Sequence, residues 1–285
     1  MKKNVNVVIW IIVICGVICA CRPGKAVSGK ETGLLPVPDK LVVFTFDDAV
    51  ASHYTYVAPL LKQYGYSATF FVTEGFNFHT NKKDYLTWEQ IRALYDDGFE
   101  IGNHTKDHIG IFPATISQLK EQLDVIAKKC MENGIPKPVS FAYPGNFIMK
   151  EALPVLEESG IVWARRGNIP EFDGGYDGRG FAYWPGVDDP LLVPSAGIAL
   201  PGWSLDSFRI AVQKAEKGKI AVIQFHGVPD REHPWVHTDP ELFRQYLDYL
   251  RANNYKVIAM RDLSLYVDPR KRPADPWAII DRFHQ

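Results

Sequence analysis

The sequence predicts an α/β fold, a closed or nearly closed (β/α) barrel of about seven parallel strands. Three observations lead there. Short apolar runs alternate with helical patterns from residue 41 to about residue 260. Those runs are mostly apolar throughout, as strands covered on both faces are, instead of alternating with polar residues. No repeat, low-complexity block or linker divides residues 39–285, and seven or so units in one stretch favour a closed sheet over an open one.

The elements follow in order. LVVFTF (41–46) reads as a buried strand, and TYVAPLLKQYG (55–65) as a helix ended by Gly65. SATFFV (67–72) is the next strand. Thr87, followed three residues later by Gln90, forms a capping box for a helix that stops at Gly98. FEIGN (99–103) is the third strand. Residues 115–134 carry a helical stripe of Ile116, Leu119, Leu123, Ile126 and Cys130. PVSFAY (138–143), a helix at 152–160 and IVWARRG (161–167) come next. Residues 168–201 are rich in Gly, Pro and Asp and predict long loops, with PLLVPS as a candidate strand. A helix at 204–217, the strand KIAVIQF (219–225), a helix at 241–254 and the strand YKVIAM (255–260) complete the pattern. Residues 261–285 are expected to wrap the surface as a tail.

The chain has 285 residues, a formal net charge of -1, 46% hydrophobic and 23% charged residues. That is an ordinary globular mixture with no basic excess, which argues against nucleic acid as a partner. Lys2 and Lys3 precede an apolar stretch that ends at Cys21, the pattern of an export signal. Ile18-Cys19-Ala20-Cys21 resembles a bacterial lipoprotein box, which would make Cys21 the lipidated first residue. A plain secretion signal and an uncleaved anchor are the alternatives. All three place the domain outside the cytoplasm, in a bacterial cell envelope or secreted, with a flexible tether at residues 22–38. Only Cys130 lies beyond the signal, so no internal disulfide is possible, and Cys130 reads as a small buried side chain.

The chemistry gathers at the ends of the predicted strands. Asp47 and Asp48 end the first, and His104 and His108 begin the loop after the third. Tyr143, Pro144 and Gly145 end the fourth, Arg165 and Arg166 the fifth, and His226 the run 219–225. In a parallel barrel these ends share one face, where active sites assemble. One carboxylate and two imidazoles form a common catalytic zinc shell with a position open for water, and the second carboxylate is then free to handle protons. Two adjacent buried carboxylates also need a compensating cation. No GxGxxG or GxxxxGK follows the first strand, and no GxSxG elbow is present.

At these residues the chain resembles the polysaccharide deacetylases of the NodB-homology family, carbohydrate esterase family 4. TFDD (45–48), HTKDH (104–108), FAYPG (141–145) and QFH (224–226) carry the likeness, over about residues 40–260. The resemblance implies a NodB-like distorted barrel with Asp48, His104 and His108 as ligands of a divalent metal. Zinc is the first expectation, with cobalt, manganese or nickel as alternatives. It implies Asp47 as catalytic base and His226 as catalytic acid. The substrate it implies is an acetylated glycan, losing an N-acetyl or an O-acetyl group.

Two positions depart from the family pattern. Where many members have an Arg-Pro-Pro-Tyr-Gly-like third motif, Ala142 stands at the Arg position and Gly145 at the Tyr position. Arg165 or Arg166 is the candidate replacement for the Arg that orients the base. Tyr143 is a candidate for part of the pocket and the Gly145 N–H for the oxyanion. Gln224 stands where an apolar residue usually borders the acetyl pocket. His53, His233 and His237 are expected at the surface or substrate rim. Trp163, Trp184, Trp203 and Trp235 are candidates for a sugar groove or for packing. Two rival functions stand beside deacetylation: a metal-containing glycan-binding protein without turnover, and hydrolysis of another non-peptide carbon–nitrogen bond.

Overall fold

In this computed structural model residues 33–168 and 180–281, together with Met1, are described. The leader ending at Cys21 and most of the tether lie outside the described residues. Among the described residues there are eight strands: β1 (Leu41–Phe46), β2 (Thr69–Val72), β3 (Glu100–Asn103), β4 (Ser140–Ala142), β5 (Trp163–Arg165), β6 (Gly197–Ile198), β7 (Ala221–Phe225) and β8 (Lys256–Ile258). The helices are α1 (Ala58–Tyr64), α2 (Trp88–Asp96), α3 (Leu119–Glu132), α4 (Ala152–Glu158), α5 (Leu205–Val212), α6 (Pro240–Ala252) and the short α7 (Ala278–Asp281).

Seven strands run in the order β5-β4-β3-β2-β1-β7-β6, and β8 pairs with β1 off that path. Every pairing between these strands is parallel. The sheet is curled, as a distorted (β/α) barrel requires. Residues 193–198 bring its two ends together. Val193 N–H donates to Ala164 O, Arg166 N–H donates to Val193 O, and Ala196 N–H donates to Val222 O, all within 2.8–2.9 Å.

The two-residue period of the strands sorts their side chains. Leu41, Val43, Phe71, Ala142, Trp163, Val222 and Ile258 share one cluster inside the curl. Val42, Phe44, Phe46, Phe70, Val72, Ile101, Ile223 and Phe225 point the other way, against α1, α2, α5 and α6. Phe141, Tyr143 and Ala164 face out against α3 and α4. Gly102 faces in, where an added Cβ would lie 2.4 Å from the Phe71 ring. The period continued past each strand decides which polar residues enter the site.

Local signals hold where they are strongest. Thr87 and Gln90 form the capping box of α2, and Gly65 ends α1 in the left-handed conformation at φ 69°. Cys130 is buried, and burial pushes its thiol up to about 12, which leaves it inert. Three expectations change. PLLVPS is not a strand: Pro190–Leu192 form a 3-10 turn started by Asp189, whose side chain caps Leu191 N–H. The tether does not extend through residue 38, because Leu35 N–H donates to Leu265 O and Val37 packs on the interior cluster. The tail does more than wrap the surface, since Leu263, Val267 and Ile280 are buried in core clusters.

The floor of the barrel holds a buried carboxylate, Glu100. It accepts hydrogen bonds from Thr69 Oγ1 and Ser140 Oγ, each at 2.6 Å, and from Arg261 N–H at 2.8 Å. Burial pushes its pKa above the usual carboxylate range, and these bonds oppose the shift. The group ties β2, β3 and β4 to the segment after β8. Replacing it with Leu orphans the three donors and is expected to lower stability on the order of 3 kcal/mol. Denaturant unfolding would measure this, with metal affinity of the folded variant unchanged.

Candidate metal and catalytic site

β1 ends by delivering Asp47 inward, in step with Leu41, Val43 and Thr45. Asp48 follows at φ 74° and Ala49 at φ 52°, a left-handed turn that L-residues adopt at a cost. His104 follows β3 on the inward register. Its Nδ1 donates to Ala142 O at 2.8 Å, so Nε2 carries the free lone pair. His108 lies beyond a loop pinned at several points. Asn103 Oδ1 accepts from Thr105 N–H, Thr105 Oγ1 accepts from Ile109 N–H, and Gln122 Oε1 accepts from Asp107 N–H. Gly75 lets the loop after β2 pass close by, since an added Cβ would lie 2.9 Å from Asp107 and 3.0 Å from His108 Cβ.

Asp48, His104 and His108 offer ligand atoms within 4.8 Å of one another. Asp48 Oδ1 lies 3.4 Å from His104 Nε2 and 3.3 Å from His108 Nε2, and it is buried without a hydrogen-bond partner. Atoms bound about 2.0–2.1 Å from one tetrahedral zinc ion stand about 3.4 Å apart. The spacing, the orphaned oxygen and the fixed His104 tautomer therefore fit a divalent cation. Burial would raise the Asp48 pKa, but the adjacent imidazoles of His104 and His108 hold it well below its usual value. Burial opposes charge on His104, yet Asp47 and Asp48 raise its pKa overall.

Asp47 is 1% exposed, and its two oxygens have different surroundings. Oδ2 accepts from Arg165 Nη2 at 2.7 Å and from Gln224 Nε2 at 3.0 Å. Oδ1 is buried with no partner. Arg165 is itself 0% exposed, and burial lowers its pKa while Asp47 opposes the shift. His226 Nε2 sits 3.9 Å from Oδ2 of both Asp47 and Asp48. Burial lowers the His226 pKa, against the two carboxylates.

These groups line a cavity of about 360 Å³, with Gly145, Asn146, Asn168, Ile198 and Leu200 among its walls. One wall is a ladder of rings. Successive centroids are 4.8 Å apart from His104 to His108, 4.6 Å to Phe76, 4.7 Å to His233 and 5.3 Å to Trp235. Phe76, at φ 55°, is 50% exposed and Trp235 67% exposed.

The family model for polysaccharide deacetylases matches residues 35–164. Residues 35–164 are thus similar to polysaccharide deacetylases. A peptidoglycan-N-acetylglucosamine deacetylase of Bacillus cereus is 31% identical over 142 residues, covering 48% of this chain and 62% of that protein. The putative polysaccharide deacetylase YxkH of Bacillus subtilis is 30% identical, covering 48% of this chain and 50% of that one. The chain thus spans about half to three-fifths of the length of these relatives. Among solved structures, the Bacillus subtilis family 4 carbohydrate esterase PdaA matches with TM-score 0.53 at 19% identity, covering 81% of this chain and 83% of that one. A family 4 pseudoenzyme from Bacillus anthracis matches with TM-score 0.52 at 16% identity, covering 82% and 67%. These structures share the deacetylase fold.

The domain brings together Asp47, Asp48, His104, His108, His226, Gly145 and Arg165, and leaves two candidates out. Tyr143 is buried on the outward register, its hydroxyl donating to Leu191 O at 3.0 Å, so it does not enter the cavity. Arg166, also outward, donates from Nε to Leu192 O at 3.0 Å, and it orients no carboxylate of the site. Of the two arginines, Arg165 is the one seen pairing with Asp47, and its position explains how. It pairs in register with Ala142 across β4 and β5, so the guanidinium comes from the neighbouring strand at the same level. The alanine leaves it a path.

His53 is fully buried instead of lying at the surface or rim. His233 and Trp235 do line the cavity. Trp163 and Trp203 are core residues, and Trp184 borders a separate surface pocket. Gln224, expected to border an acetyl pocket, lines the cavity and donates to Asp47. Its inward parity on β7, shared with Val222 and His226, was the available signal for that contact.

Asp48→Asn removes the charged ligand and is expected to weaken binding of zinc or cobalt on the order of 100-fold or more. Competition titration with a chelating dye checks this. For the parent protein, affinity should fall as pH drops: the raised His104 pKa lets protons compete for its lone pair at a higher pH than for an ordinary histidine.

Proposed function

We propose that this domain is a metal-dependent hydrolase that removes acetyl groups from N-acetylated or O-acetylated extracellular carbohydrate. The observation that carries the reading is the two-sided environment of Asp47. Arg165 and Gln224 fix Oδ2, while Oδ1 is left bare beside the metal-ligand cluster. A fold that only bound glycan would have no use for a base held in this way. The pseudoenzyme with the same fold shows that fold alone does not carry turnover.

Asp48, His104 and His108 would hold the ion, with zinc favoured by the nitrogen and oxygen donor set. When bound, such an ion polarises a carbonyl and lowers the pKa of water. Asp47 Oδ1 accepts a proton from the attacking water. Arg165 holds the orientation of Asp47 through the hydrogen bond to Oδ2. His226, in its protonated form, supplies a proton to the departing amine or alcohol. Gly145 is on the cavity wall with φ 62°, and its backbone N–H would serve developing negative charge. Phe76, His233 and Trp235 supply ring faces on which a sugar can stack. That wall favours carbohydrate over a small amide.

The substrates named for the relatives, peptidoglycan N-acetylglucosamine and poly-β-1,6-N-acetyl-D-glucosamine, are the first to try. The leader supports export with lipid attachment at Cys21, which would hold the enzyme beside envelope glycans.

Purified residues 22–285, loaded with zinc, cobalt or manganese, should release acetate from N-acetylated oligosaccharides or acetylated xylan. No release from any of these with a full metal site would sink the reading and leave glycan binding or another amide as the function. Trp235→Ala should raise KM for oligosaccharides several-fold and leave turnover of a small acetyl ester nearly unchanged, since stacking contributes about 0.5–1.5 kcal/mol. Arg165→Met should cost about 3–5 kcal/mol of stability by stranding a buried carboxylate. It should also lower turnover on the order of 100-fold by loosening the base. Arg165→Lys should recover part of both, as read by denaturation and steady-state kinetics.

A further inference from the structure

The His226 ring has no hydrogen bond among the described residues. Its Nδ1 is buried without a partner, and the carboxylate oxygens nearest Nε2 are 3.9 Å away. A ring that no side chain holds takes its place from its backbone and packing. That backbone is anchored at three consecutive residues. His226 O accepts from His53 Nε2 at 3.1 Å, Gly227 O from Thr238 N–H at 3.1 Å, and Val228 N–H donates to Ser52 Oγ at 2.9 Å. Two of the three anchors come from Ser52 and His53, four and five residues after Asp48.

His53 is an unusual occupant of its slot. It is fully buried between Phe46 and Phe70, with ring centroids 5.6 Å and 5.2 Å away. A phenyl ring would fill such a place without polar cost. The imidazole instead leaves Nδ1 buried and unpartnered, a desolvation cost set against one hydrogen bond. Burial pushes its pKa down to about 4, against the His226 carbonyl and the nearby carboxylates. The ring is therefore neutral near pH 7, and a carbonyl acceptor requires the proton on Nε2. The polar ring contributes that bond to the backbone of His226 and no other.

We infer that Ser52 and His53 are positioning residues that hold the His226 ring against the leaving group. The inference rests on the acid role proposed for His226. The clamp couples the turn that carries the base and a metal ligand to the turn that carries the acid, so both halves of the proton transfer share one support.

The test compares His53→Phe, Ser52→Ala, His53→Gln and His226→Gln in the metal-loaded protein. Each is assayed on an N-acetylated oligosaccharide and on 4-nitrophenyl acetate. An amide needs leaving-group protonation and an activated ester does not, so misplacing the acid should be selective. His53→Phe is expected to lose on the order of tenfold to 100-fold in kcat on the amide and under about threefold on the ester. Ser52→Ala should show a smaller loss of the same kind, and His53→Gln, which keeps an N–H donor, should recover most of it. In the metal-free protein, the imidazole NMR signals of His226 should shift in His53→Phe and return toward the parent in His53→Gln.

Equal losses on amide and ester, no recovery in His53→Gln, or unmoved His226 signals would overturn the inference. If His53→Phe does not fold, Ser52→Ala decides alone by the same ratio. Amide-selective loss in His226→Gln without it in the clamp variants overturns the clamp only. Uniform loss in His226→Gln overturns the acid assignment and the clamp with it.

Discussion

The ion pair of Asp47 with Arg165 is the contact on which the rest of the site depends. Two adjacent carboxylates at the end of one strand cannot both stay buried and charged without compensation. Arg165 offsets one of them, and the cluster around Asp48 is built for a cation to offset the other. The pair also reports on architecture. β5 and β1 are four positions apart in the sheet order, about 19 Å in a flat sheet with strands about 4.8 Å apart. The 2.7 Å contact between them exists only because the sheet curls back on itself. Site chemistry and barrel curvature are thus one constraint.

Strain surrounds that pair in a definite pattern. Asp48, Ala49, Phe76, Thr105, His108 and Asn146 all have positive φ without being glycine. Four of these six line the cavity. Left-handed backbone at such residues persists only where the surroundings over-determine it. Here the surroundings are the pinned HTKDH loop, the close pass of Gly75 and the hydrogen bonds of Asn103 and Gln122. The loops that carry the ligands are thus held by contacts of the fold itself.

Much of this was legible in the sequence. Strand ends located Asp47, Asp48, His104 and His108 because apolar runs mark buried parallel strands and active sites collect at one end of them. The failures share a cause. Tyr143 and Arg166 are at strand ends too, but on the outward register, and a strand end alone does not say which face a residue takes. Parity does: Arg165 shares phase with buried Trp163, and Tyr143 with buried Phe141. His53 reads as exposed from its place at the approach to a helix just after the Asp pair, but its slot is made by Phe46 and Phe70 from two other segments. PLLVPS was taken for a strand on composition, whereas its prolines and the Asp189 cap set a tight turn. The contact of Gln224 with Asp47 lay beyond any motif, since nothing in QFH says what stands opposite it.

The partners of β1 carry a consequence for how the chain comes together. One edge bonds to β7 at Val42–Phe46, and the other is shared between β8 at Leu41–Val43 and β2 at Thr45–Phe46. The strand that bears the Asp pair is therefore nearly first in the sequence and waits for nearly the last. Made from its N-terminus, the chain leaves the Leu41–Val43 end of this run without a pairing strand until residues 221–225 have emerged, and its pairing is complete only with residues 256–258. Such long-range closure is slow and leaves an exposed sticky segment meanwhile. Asp48, His104 and His108 come from β1 and β3, which β2 joins early, but Arg165 and His226 reach the site only with β5 and β7, so the order of synthesis makes the complete site a late product of folding.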